Sequence, residues 1–342
     1  MHAVVIFCIF ATMLISVLVL FYIKFSKTSK NTIQYFSNNE TIYCIMITGK
    51  DNDRELYSLL AITNFLNQTY DNKVLIIINH GSFALNSDDS NIKIYNITKT
   101  PDVTLGHLRN IALDKFVPVD GLWITWDDDD YRSNTFLQTL YDYMITSRVD
   151  AVSFNTRYEF NIHTMFLWKT VLKEGFVFKL MRNNKHIRYL LKDTMEDINL
   201  LQDLKRNNIR YKVIDNISDY SIVYIRLIHA SNTSLYVNKQ KDKVMPSCKE
   251  SNYQELPVSK NECLCILKII VSYYKMDNLY MYSTYIAQSN LDVVNNTINN
   301  LNNRVNDYIF NNFLQGNSHC HPSLVYNDRF TKSTTNSCAY KE

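Results

Sequence analysis

From residue 41 to residue 155, short apolar β-rich runs take turns with segments whose apolar residues recur at helical spacing. TIYCIMIT (41–48), KVLIIIN (73–79), NIKIYNI (91–97), GLWITW (121–126) and DAVSFN (150–155) are strand-like. RELYSLLAITNFLNQ (54–68), LGHLRNIALDKF (105–116) and SNTFLQTLYDYMI (133–145) are helix-like. Strands alternating with helices of this length build βαβ units: a mostly parallel sheet with helices on both faces. Such a sheet keeps its ligand beyond the carboxyl ends of its strands. Gly49, Asn79 and the run Asp127-Asp128-Asp129-Asp130 all lie at such ends.

The rest of the chain is less regular. Strands are expected near 163–180, 209–214 and 221–228, with a helix over 194–207. From 236 onward polar stretches flank helical patterns near 261–275 and 291–314. The chain of 342 residues carries 36 Lys+Arg against 33 Asp+Glu, a balance too even for a nucleic-acid binder. With 46% apolar and 20% charged residues it has the makings of a folded core. Six Gly and five Pro exclude the Gly-rich and Pro-rich classes.

Ala3 to Ile23 is an uncharged apolar run long enough to span a bilayer as a helix. It exceeds the h-region of a cleaved signal peptide, and no basic n-region precedes it. We read it as a single membrane anchor (1–23) followed by a polar stem (24–40). Lys24, Lys27 and Lys30 favour a cytosolic side for the domain that follows, by the positive-inside rule. A Golgi or ER lumenal orientation is the alternative. The six N-x-Ser/Thr sites are as many as this composition yields by chance, so they do not decide the side. Five of the seven cysteines lie in the last hundred residues, as disulfides or as free thiols. His319-Cys320-His321 with Cys263 and Cys265 matches no standard zinc spacing.

Four adjacent carboxylates repel one another and suit a strand poorly. A divalent cation offsets that repulsion, and Mn²⁺ or Mg²⁺ prefers one or two carboxylates together with phosphate oxygens. The plain alternative is a solvated acidic turn.

Arg109-Asn110 before a strand that ends in Asp127-x-Asp129-Asp130-Tyr131 resembles the family 2 nucleotide-sugar glycosyltransferases. So do TMEDINLLQDLKR (194–206) and YIRLIHASNTS (224–234), in the same order. The resemblance covers residues 41–235. It implies a GT-A-like three-layer αβα sandwich around a mostly parallel sheet; beyond it, the residue pattern makes 236–342 a mainly helical extension. It implies an inverting, metal-dependent transferase that moves a sugar from a nucleoside-diphosphate donor to a hydroxyl of a glycan, protein or lipid. Asp127, Asp129, Asp130 and His229 would then hold Mn²⁺ or Mg²⁺. Thr48, Gly49, Asn79, Arg109, Asp127 and Asp128 would line the nucleotide site. Asp197 would be the general base, with Glu196 as the alternate. Arg109 is equally readable as a structural helix arginine, and His229 as a core histidine. Where the family has acidic residues after the second strand, this chain has Asn79-His80-Gly81-Ser82, and its first turn is Thr48-Gly49-Lys50-Asp51-Asn52. That departure leaves a non-catalytic glycan- or nucleotide-sugar-binding relative as the competing reading. A phosphoryl-transfer enzyme is a third, and it lacks a phosphate-gripping G-x-x-x-x-G-K-[ST] loop.

Overall fold

The computed structural model describes residues 40–229, with short interruptions, and scattered positions within 253–270 and 299–307. The chain divides into two units, Met1–Glu40 and Thr41–Glu342, and every strand and helix named here belongs to the second. The expected anchor and stem (1–40) lie outside the described residues, Glu40 excepted. Among the described residues no helix is long and apolar enough to cross a membrane.

The expected alternation is realised as β1 (Ile42–Thr48), α1 (Arg54–Leu66), β2 (Lys73–Asn79), β3 (Ile92–Asn96), α2 (Leu105–Phe116), β4 (Leu122–Thr125), β5 (Asp130–Arg132), α3 (Phe136–Ser147) and β6 (Ala151–Phe154). Next come β7 (Thr156–Asn161), β8 (Phe166–Leu172), β9 (Lys179–Arg182), α4 (Leu200–Arg206), β10 (Tyr211–Ile214), β11 (Tyr224–Ile228) and β12 (Tyr253–Leu256). The first sheet has the order β10-β6-β9-β4-β1-β2-β3. β1 pairs in parallel with β2 and β4, β2 with β3, and β6 with β10. β9 runs antiparallel to its neighbours β4 and β6.

Alternation along the strands gives the sheet two apolar faces. Ile42, Cys44, Met46, Leu75 and Ile77 pack with Ala61, Ile62 and Phe65 of α1 and Phe136, Leu137 and Leu140 of α3. Ile45, Ile76, Ile78 and Trp123 pack with Leu108, Ala112 and Leu113 of α2 and Leu200 and Leu204 of α4. Helices therefore cover both faces, and the mixed α/β fold with its largely parallel sheet fits the GT-A arrangement.

A second sheet, of order β12-β8-β7-β11-β5, was not foreseen as a unit. Its β5 begins within the aspartate run, and its β12 comes from the region expected to be mainly helical. Described positions within 262–270 and 299–307 are helical, as expected there. Residues 127–129 thus form the link between β4 of one sheet and β5 of the other.

Candidate active site

Strand order reverses at β1: β2 and β3 lie to one side and β4 to the other. The carboxyl ends of β1 and β4 flank the resulting crevice, the usual ligand position in an open α/β sheet. Thr48 ends β1, and Trp126-Asp127-Asp128-Asp129 leaves β4.

The four aspartates point to four different sets of partners. Asp127 Oδ1 accepts from Arg109 Nη2 at 2.7 Å. Asp128 receives Arg54 Nη1 at 2.5 Å on one oxygen and meets Thr48 Oγ1 at 2.7 Å on the other. Asp129 Oδ2 accepts from Arg54 Nη1 at 2.8 Å and lies 3.2 Å from His229 Nε2. Asp130 Oδ2 is bonded to the Tyr224 hydroxyl, and its Oδ1 is buried with no hydrogen-bond partner among the described groups. Arginines thus balance the run from inside the protein, where sequence reasoning supplied only a metal ion.

Arg54 was missed because its partners lie 74 and 75 residues away. One local signal existed. A cation in the first turn of a helix opposes the macrodipole, so a strong partner elsewhere is implied. Arg54, Tyr57 and Ser58 stand at i, i+3 and i+4, one face of α1. Tyr57 stacks on His229, with ring centroids 4.2 Å apart. Ser58 Oγ donates to the Arg54 carbonyl at 2.7 Å and lies 2.5 Å from Thr48 Oγ1. Thr48 Oγ1 in turn donates to Asp128 Oδ2. Burial pushes the Asp128 carboxyl up to about 7 although the Arg54 charge opposes the shift. Burial acts the same way on Asp129, but Arg54 and His229 outweigh it and hold that carboxyl far below the usual range. Asp130 is raised by burial and by its neighbours Asp129 and Asp127, against the opposing pull of Arg132 and the Tyr224 hydrogen bond.

Strand pairing sets the second flank. Arg226 of β11 stands opposite Asp130 of β5 and Glu159 of β7. His229 follows β11 directly, which is why it meets the aspartate link. Arg132 is fully buried, its guanidinium 4.3 Å from the Trp126 ring centroid and 5.2 Å from that of Tyr224. Tyr224 and Arg226 lie in the 224–234 segment that carries the family resemblance, where no role was given to them, and no sequence pattern marked Arg132 or Glu159.

The Arg109-Asn110 pair has a visible task. Arg109 is buried and joins Asp127 to Glu196 through its two terminal nitrogens. Asn110 clamps the backbone of Tyr189, donating to its carbonyl and accepting from its N–H, both at 2.9 Å. Gly106 N donates to Lys192 O at 3.0 Å, and Leu105 N to Asp193 Oδ1 at 3.0 Å. A side chain on Gly106 would place its Cβ 1.7 Å from Leu190 O, so only glycine allows this approach. The first half of α2 therefore holds segment 189–196 against the aspartate link.

Glu196 and Asp197 lie in a turn before α4, not on its first helical turn, because α2 ties down the residues just before them. Glu196 is buried against Arg109, and burial raises its pKa although Arg109 opposes the shift. Asp197 is half-buried, and no described group bonds its carboxylate.

The nucleotide-side residues are placed as follows. Gly49 has φ +111°, and a Cβ there would meet Gly81 N at 2.1 Å, so the turns after β1 and β2 touch backbone to backbone. Asn79 spends its amide on Phe83 O (2.6 Å) and Asn96 Oδ1 (2.8 Å), and its Oδ1 accepts from Gly81 N. It organises the loop after β2.

Among the described residues no three His, Cys, Asp or Glu side chains are arranged to hold a metal ion. Asp129 and His229 do suit one in part. Adjacent octahedral ligands at about 2.1 Å from an ion are about 3 Å apart, and Asp129 Oδ2 and His229 Nε2 are 3.2 Å apart. Mg²⁺-type sites fill their remaining positions with water and phosphate oxygens.

No protein-family model matches this chain, and no curated protein does. Solved structures of Staphylococcus aureus TarS are similar at low identity. TarS 1–349 in complex with UDP-GlcNAc is 14% identical, with a TM-score of 0.42, over 68% of this chain and 66% of that one, just under two thirds of its length. TarS 1–349 alone is 13% identical, with a TM-score of 0.41, over 81% and 92%. Its complex with UDP is 12% identical, with a TM-score of 0.40, over 81% and 73%.

Proposed function

We propose that the protein is an inverting glycosyltransferase that moves a sugar from a nucleoside-diphosphate sugar to an acceptor hydroxyl. The observation that carries this reading is the Arg109 bridge. It holds the aspartate link, at the switch point of the sheet, next to a second acidic pair with one open carboxylate.

The donor sugar would lie between these two groups. Asp197 takes the proton of the acceptor hydroxyl as its oxygen attacks the anomeric carbon. The bond from that carbon to the diphosphate breaks, and the electron pair leaves on the diphosphate. One displacement with one base inverts the anomeric centre. Glu196 is committed to Arg109, so it positions Asp197 instead of replacing it. Asp129 and His229 are the two residues that would hold Mn²⁺ or Mg²⁺, which when bound would neutralise charge developing on the diphosphate. Asp130, bonded to the Tyr224 hydroxyl, anchors the end of the link. Thr48, Gly49 and the loop built on Asn79 form the wall on which the nucleoside would rest.

A ligand that binds the native state raises its melting temperature by mass action. UDP- and GDP-sugars should therefore be screened by thermal shift in Mn²⁺. One donor class raising Tm supports the reading; no shift with any sugar nucleotide at millimolar concentration rejects it.

A further inference from the structure

Arg54 stands between two carboxylates of the aspartate link. Its Nη1 contacts Asp128 at 2.5 Å and Asp129 at 2.8 Å, and its side chain is 7% exposed. The Asp129 oxygen that receives it is also the one 3.2 Å from His229. Any cation that uses Asp129 Oδ2 and His229 Nε2 together must therefore share that oxygen with a guanidinium. The guanidinium cannot escape by losing its proton. An arginine side chain keeps its charge in a protein at any ordinary pH. It can only move. Asp128 offers it a place to stay, since that carboxylate holds Arg54 on an oxygen separate from the one facing Thr48. The helix that carries Arg54 also carries Tyr57, which stacks on His229.

We propose that Arg54 is the resident cation of the aspartate link and that a divalent ion binds only by displacing it from Asp129. Arg54 then sets the ion's affinity and keeps the carboxylates folded inward when no ion is bound. This rests on the metal-dependent part of the proposed function. It assigns a role to a residue outside the motifs that suggested that function.

The test uses the full chain and Mn²⁺ alone, with calorimetric titration and thermal melts of wild type, R54Q, R54M and R54K. R54Q and R54M remove one positive charge a few ångströms from the ion. Their Mn²⁺ dissociation constant should fall about tenfold or more by simple Coulomb repulsion. Mn²⁺ should also restore the melting temperature those variants lose. R54K keeps the charge and should stay within about threefold of wild type by the same Coulomb argument. If R54Q does not fold alone, Mn²⁺-dependent recovery of its far-UV dichroism on refolding carries the same information, and R54M keeps more of the packing. Equal Mn²⁺ affinity in wild type and the charge-removing variants overturns the proposal while leaving a metal site in place. Weaker or lost binding in those variants also overturns it, because Arg54 would then be a prop of the site. Mn²⁺ binding to none of the proteins overturns the proposal together with the metal-dependent reading.

Discussion

Among the described residues, Arg109 is the side chain that ties the aspartate link to the acidic turn, and replacing it by Gln removes that tie. Two ion pairs go, but they do not count equally. The Glu196 arm is buried, with both side chains 9% exposed, whereas Asp127 is 23% exposed and regains water more readily. Breaking a buried pair while leaving one partner behind costs about 3–5 kcal/mol. An exposed pair is worth about 0–1 kcal/mol, and the Asp127 arm adds a value nearer that end. The total is about 3–5 kcal/mol, which in a domain of this size lowers Tm by about 6–20 °C. Proton uptake by Glu196, whose pKa is already raised, caps the penalty and makes it smaller at lower pH. The assay is a double-mutant cycle in urea with R109Q, E196Q and the double variant. E196Q alone leaves Arg109 paired with Asp127, so the double variant should be less destabilised than the sum, by about 1–3 kcal/mol. Additivity to within about 0.5 kcal/mol would show that the bridge carries no coupling, and the account of how the acidic turn is held would fall with it.

Other outcomes follow from the same geometry. Asp197→Asn should lower kcat by about 10²–10⁴-fold with near-normal donor binding, and Glu196→Gln should cost less; the reverse ranking moves the base to Glu196. Gly106→Ala should destabilise the fold and slow turnover together, since its Cβ would meet Leu190 O at 1.7 Å; unchanged melting would show that the loop yields freely. Glu159 is buried, which works against its charge, but Arg157 and Arg226 hold its pKa below the ordinary value. Its contribution is therefore present above about pH 4.3 and lost as pH falls through the lower folded value. The Tm gap between wild type and E159Q should shrink on acidification, and a constant gap would remove Glu159 from the acid response.

Much of the fold was legible because it is written locally. Ile42, Cys44 and Met46 facing one way and Ile45 the other is a buried parallel strand, and α1 to α3 show their apolar spacing plainly. What could not be read is what depends on distant partners. Four carboxylates in a row argue against a strand, yet Asp130 opens β5, opposite Arg226 and bonded to Tyr224. A helix from 194 looked sound on spacing, but α2 holds the segment up to Glu196 and the helix starts at Leu200. At the site, the acidic residues were visible as motifs. Of the arginines that neutralise them, Arg109 was visible within a motif, whereas Arg54 was not, because it sits in an ordinary-looking helix.

The most direct measurement is nucleoside-diphosphate release from a panel of UDP- and GDP-sugars by the full chain, in Mn²⁺ and in chelator, for wild type and Asp129→Asn. The account predicts release from one donor class by wild type in Mn²⁺, and its loss both in chelator and in the variant. Release that is equal in wild type and Asp129→Asn, or unchanged by chelator, would contradict it.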